Sequence, residues 1–173
     1  MAEHKVLFAI EDDVCFIKLV GEATYAKTAG FDAFINDLFH HREIRDVLVD
    51  LSDTTYIDST NLGELTKISS FLRQRNCHRP TLLSTREEIS SIITGLGLDR
   101  VFLLVEEVEL PDVEMQEIPE VEMDDRRNAQ RILDAHRTLM SVNEKTGRIF
   151  RSVVDAFEKD LEECDDSRSD CDG

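Results

Sequence analysis

Tryptophan is absent from this 173-residue sequence, and aromatic residues of all kinds make up only 6% of it. A chain so supplied is a poor candidate for an aromatic ligand cage. Its four cysteines, Cys15, Cys77, Cys164 and Cys171, form no Cys-x-x-Cys pair, and no histidine stands at ligand spacing beside them. A zinc site or any other metal centre is therefore not expected. No apolar run is long enough to span a bilayer, and the opening Met-Ala-Glu-His-Lys leads into no hydrophobic stretch. Neither a signal peptide nor a membrane anchor is expected, and the sequence reads as a cytoplasmic protein with reduced thiols. Positive charge is scarce: 20 Lys and Arg face 37 Asp and Glu, a formal net charge of -17. Such a chain repels phosphate backbones and anionic lipid, which argues against direct contact with nucleic acid or membrane. A basic protein is the partner this charge favours, although acidity also serves solubility alone.

What is present is a regular alternation. Lys5 to Ala9 and Val14 to Val20 read as a β-hairpin around the turn Glu11-Asp12-Asp13, closed by Gly21. Phe31, Phe34, Ile35 and Leu38 recur at the spacing of one helix face, as do Leu62, Leu65, Ile68 and Leu72, and then Ile89, Ile92, Ile93 and Leu96. Between these lie short apolar runs, Val47 to Leu51, Thr81 to Leu83 and Val101 to Val105, each suited to a buried strand. The order ββαβαβαβ predicts an α/β domain over residues 1–105: a two-layer mixed β-sheet with its helices on one face. An acidic linker is expected over 106–123, a helical extension over 124–163 and a disordered acidic tail over 164–173.

The stretch richest in chemical meaning follows the third strand: Val47-Leu48-Val49-Asp50-Leu51, a polar gap containing Asp53, then Asp58-Ser59-Thr60-Asn61-Leu62-Gly63. Asp, Ser, Thr and Asn are all favoured helix caps, so a helix should begin here. Capping alone explains them. A hydroxyl at such a place also faces unpaired backbone N–H groups and the positive end of the helix dipole, so a phosphate added there would be stabilised without melting the helix. No Ser/His/Asp set or paired carboxylates stand at interpretable spacing. The histidines His4, His40, His41, His78 and His136 are scattered, and no Gly-rich phosphate loop is present. No enzymatic activity and no cofactor are expected.

A strand ending in Asp-Leu, a short gap and an Asp-Ser-Thr-x-Leu-Gly segment opening a helix resembles the STAS family, named for sulfate transporters and anti-sigma factor antagonists. Asn61 stands where that family often carries Gly. The resemblance extends over roughly Lys5 to Val105 and implies a STAS-like fold. It further implies an anti-sigma factor antagonist that acts by partner switching. The unphosphorylated form would bind an anti-sigma factor that is also a serine kinase, phosphorylation of Ser59 would release it, and a PP2C-type phosphatase would restore it. Asp53, Asp58, Ser59, Thr60 and Asn61 are the expected partner-binding residues. The alternative within the family is a STAS subunit of a transport or signalling complex that binds without phosphorylation. Beyond that domain, Phe150, Val153, Val154, Phe157 and Leu161 form an apolar stripe that must be covered. The open sheet face, a second copy paired through the C-terminal helices, or the partner would each serve.

Overall fold

The apolar alternation at the N-terminus becomes two antiparallel strands, β1 (Lys5–Glu11) and β2 (Val14–Ala23), in register from Lys5 opposite Val20 to Glu11 opposite Val14. Side chains alternate between the two faces of a strand. Cys15, Ile17 and Leu19 are buried, while Phe16 and Lys18 between them are only half-covered. The computed structural model describes residues 3–169. Parallel to β2 run β3 (Asp46–Asp50), β5 (Thr81–Leu83) and β6 (Leu103–Val105); a two-residue strand β7 (Gln116–Glu117) pairs with the far side of β1. The order across the sheet is β6-β5-β3-β2-β1-β7.

Helices α1 (Ala29–His41), α2 (Ser59–Gln74) and α3 (Glu87–Gly95) cover one face, as the sequence predicts. Phe31 and Ile35 of α1, Leu65 and Ile68 of α2, and Ile89 and Ile93 of α3 meet Cys15, Ile17, Val47 and Val49 of the sheet in one core. Burial of the Cys15 thiol pushes its pKa up to about 12, so it behaves as a small apolar side chain.

The pairing of β1 with β2 stops at Val20, where the sequence ends the hairpin, but β2 runs on to Ala23, and Gly21, at φ 77°, sits beside a bulge where the strand changes register. The polar gap before Asp58 holds a further strand, β4 (Thr54–Ile57), which pairs in parallel with this end of β2. Thr54 is buried, its hydroxyl donating to the Leu19 carbonyl at 2.8 Å, while Thr55 and Tyr56 face solvent. Only the two ends of β4 point inward, which is why its sequence looks like a loop.

Residues 106–115 carry the chain from the β6 edge to the β7 edge. Ile118, just beyond, is buried and donates its N–H to the Val6 carbonyl. The extension then forms two helices, α4 (Asp125–Met140) and α5 (Glu144–Ser169), broken at 141–143. The six residues 164–169 continue α5; the remaining residues of the tail expected as disordered, with Cys171, lie outside those described. The hairpin does not cover the open sheet face. It forms a third layer, with α4 packed on the outer side of α2 and α5 packed on α4. Phe150 and Val154 are buried there, while Ile149 is exposed. Arg126 pairs with Asp165 at 2.6 Å and Arg137 with Glu158 at 2.7 Å across the hairpin. At its turn, Asn143 and Lys145 donate to the Leu96 and Gly95 carbonyls at the end of α3.

Candidate functional site

Asp58 is the N-cap of α2: Oδ1 accepts from the Asn61 N–H and from the Asn61 side-chain amide, both at 2.9 Å. Its other oxygen accepts from the Tyr25 N–H at 2.6 Å, tying the loop after β2 to the start of the helix. Ser59 is therefore the first residue of α2, not its cap. This frees the Ser59 hydroxyl from local duty. Thr60 and Asn61, expected on the binding surface, are buried, and the Asn61 amide also donates to the Ala23 carbonyl at 3.2 Å. Asn61 thus braces the helix start from within. Its Oδ1 is the buried side-chain polar atom left without a hydrogen bond among the described residues.

Asp58 and Ser59 stand together at the start of α2, while Asp53 lies at the other end of β4. Asp53 is exposed and accepts a 2.6 Å ion pair from Lys18, which also reaches Asp50 at 3.6 Å. The hydrogen bond that Lys18 donates to Asp53 and the charges of the Asp50 and Asp53 carboxylates hold the Lys18 pKa above the usual lysine value. The chain's two tyrosines, Tyr25, whose N–H bonds to Asp58, and Tyr56, in β4, are respectively 43% and 51% exposed.

The structure adds residues that sequence reasoning left aside. The Ser59 hydroxyl lies 2.8 Å from Nε2 of His136 on α4. Nδ1 of that ring lies 2.6 Å from the Ile132 carbonyl, which can only accept, so Nδ1 carries a proton. His136 is buried and stacks edge-on against Phe150, ring centroids 5.4 Å apart. One turn further along α2, Glu64 is fully buried and forms a two-pronged ion pair with Arg131 of α4, Nη2 lying 3.0 Å from Oε2. Arg131 also donates to the Tyr25 carbonyl at 2.7 Å and to the carbonyl and hydroxyl of Thr28 at 2.8 Å. Burial pushes the Glu64 carboxyl up, to about 7, against the opposing pull of the guanidinium. Between these contacts the helices touch backbone to backbone. A Cβ on Gly63 would lie 2.8 Å from that of Ala135 and closer still to its carbonyl. Glycine is required at 63 because α4 lies there.

The STAS domain family model matches residues 5–110. The chain belongs to the STAS family. The match ends before α4, so the hairpin that covers α2 lies outside the STAS domain proper. Among solved structures, an anti-sigma factor antagonist from Mycobacterium paratuberculosis is similar at a TM-score of 0.53 and 18% identity, covering 61% of this chain and 88% of that one. SpoIIAA in its unphosphorylated form, an anti-sigma factor antagonist, is similar at 0.52 and 15% identity, covering 61% and 90%. The NMR structure of the protein TM1081 is similar at 0.50 and 23% identity, covering 57% and 78%. No curated protein sequence matches the chain. Among the described residues no helix is long and apolar enough to cross a membrane, and no group of three His, Cys, Asp or Glu is placed to hold a metal ion.

Proposed function

We propose that this STAS protein is an anti-sigma factor antagonist that works by partner switching, with Ser59 as the phosphorylated switch. One observation carries the reading: in a STAS fold, Ser59 directly follows the capping Asp58 and opens α2, with its hydroxyl spared from capping. A phosphate there would meet the positive end of the helix while adding nearly two negative charges beside Asp58. The fold survives and the surface changes, as a binding switch requires. The partners on this reading are an anti-sigma factor with serine kinase activity and a PP2C-type phosphatase. The chain acts as substrate and ligand, not as catalyst, in the cytoplasm.

The test is a pull-down of partners with wild-type protein, Ser59→Ala and Ser59→Asp, with phosphopeptide mass spectrometry of the protein isolated from cells. Phosphate on Ser59, full capture by Ser59→Ala and reduced capture by Ser59→Asp are expected. A second reading, a STAS subunit of a larger complex that binds without phosphorylation, is favoured by the engagement of the Ser59 hydroxyl by His136. Equal capture by all three proteins, with no phosphate on Ser59, would select it.

A further inference from the structure

Ser59 is at once the residue on which the proposed switch turns and a contact residue of the α4–α5 hairpin. Its Oγ lies 2.8 Å from Nε2 of His136. Phosphorylation, on the reading above, transfers the γ-phosphoryl of ATP from a kinase: the Oγ–P bond forms, the bond from that phosphorus to ADP breaks, and the hydroxyl proton leaves to the kinase's base. A phosphoryl group facing α4 does not fit within the 2.8 Å that separates Oγ from Nε2. Nothing beside the ring yields: His136 is 4% exposed and is backed by Phe150. Arg131 of α4 is already committed to Glu64, Tyr25 and Thr28. If the phosphate turned outward instead, His136 would lose its hydroxyl partner while staying buried, which also disfavours the docked helix.

We propose that phosphorylation of Ser59 unseats α4, so that the α4–α5 hairpin is a lid over the switch serine and the docked and phosphorylated forms are alternatives. The design of the interface fits a contact that must open. Beside the apolar Leu139, which joins the common core, it is held by one buried ion pair, a serine–histidine contact and the Gly63–Ala135 approach, whereas the opposite side of α2 is held by Leu62, Leu65, Ile68 and Leu72. Opening uncovers the Glu64 carboxylate and the small-residue step at Gly63. A kinase reaches Ser59 in the open form, and the phosphate it leaves keeps the lid from closing.

This inference rests on the switch reading, and its test needs neither kinase nor partner. The full chain is made with phosphoserine incorporated at position 59 and compared with the unmodified protein by amide hydrogen exchange. Exchange in 125–140 should rise by about tenfold or more while β1, β2 and β3 stay protected, as local opening requires. Unchanged protection of α4 overturns the proposal, and so does exchange raised equally throughout the sheet, which marks general unfolding. In a companion measurement, Ser59→Cys is treated with N-ethylmaleimide and labelling is located by mass spectrometry. Adding Gly63→Ala, whose methyl collides with Ala135, should speed labelling at 59 by about tenfold or more if α4 gates access; an unchanged rate counts against the lid. If α4 opens but the pull-downs show no difference between Ser59→Ala and Ser59→Asp, the lid stands and the antagonist reading falls.

Discussion

The two sides of α2 are made of different chemistry. The inner side meets the sheet through Leu62, Leu65, Ile68 and Leu72, all buried and all part of one apolar core. The outer side meets α4 through Ser59, Gly63 and Glu64, which take a histidine, an alanine backbone and an arginine, beside Leu139, the α4 residue that joins the apolar core. Apolar burial is non-directional and tolerates small shifts, so it suits a permanent contact. A buried ion pair gains little net stability when intact, yet breaking it is costly, so it favours one arrangement over its neighbours. The first interface defines the fold; the second defines one position of the extension.

That comparison is broken most sharply by paired substitutions. Leu65→Ala should cost about 2–5 kcal/mol through the cavity it leaves, and the loss should appear as a lower urea midpoint for the whole domain. Arg131→Ala strands the Glu64 carboxylate and should cost about 3–5 kcal/mol. That loss should be local, with hydrogen exchange accelerated in 125–140 and the sheet still protected. If Arg131→Ala unfolds the sheet as completely as Leu65→Ala does, the extension is an integral part of the core and the contrast between the two interfaces is wrong.

Asp58 and Ser59 are neighbours that should separate in the same way. Asp58 accepts three hydrogen bonds that hold the start of α2 to Asn61 and Tyr25. Asp58→Ala should lower global stability by about 1–2 kcal/mol, as loss of an N-cap does. Ser59→Ala removes one hydrogen bond to α4 and leaves Nε2 of His136 without its hydroxyl partner, a cost of about 1–3 kcal/mol for an unsatisfied buried group and less where water enters. It should loosen α4 and leave the thermal transition of the sheet nearly in place.

Much of the STAS domain was legible because its signals are local. The spacing of Phe31, Ile35 and Leu38, or of Leu62, Leu65, Ile68 and Leu72, states a helix and its buried side within four turns. The segment Asp58-Ser59-Thr60 likewise announces a helix start. β4 escaped because Thr54-Thr55-Tyr56-Ile57 turns only its ends inward, and the continuation of β2 past Gly21 escaped with it, since those residues pair with β4. The lid contacts were illegible for a different reason. Glu64 and Arg131 are 67 residues apart, Ser59 and His136 77, and no periodicity links them. A signal did exist in α4: Arg131 shares a helix face with Ala135 and Leu139, where an apolar residue would normally stand. A charged residue on an otherwise core-like stripe asks for a buried partner, and Glu64 on α2 answers it.

The finest distinction between the two interfaces is their response to pH. Leu65 and its neighbours carry no titratable group, whereas Glu64 does. Its folded-state pKa is raised from 4.5 to about 7, first by burial, with Asp32 adding to the rise and Arg131 and Lys67 opposing it. A carboxyl raised on folding holds its proton more tightly in the docked state. Its contribution to docking is therefore fully present below pH 4.5 and is lost as pH rises through 7. Docking of α4, read from hydrogen exchange in 125–140 between pH 5 and 8 after correction for intrinsic rates, should weaken as pH rises. Glu64→Gln cannot titrate, so this part of the slope should vanish, leaving only the background from the chain's net charge of -17. Identical slopes in the two proteins would mean that Arg131 keeps Glu64 ionised throughout this range and that the ion pair, not the desolvation of its carboxylate, governs the lid.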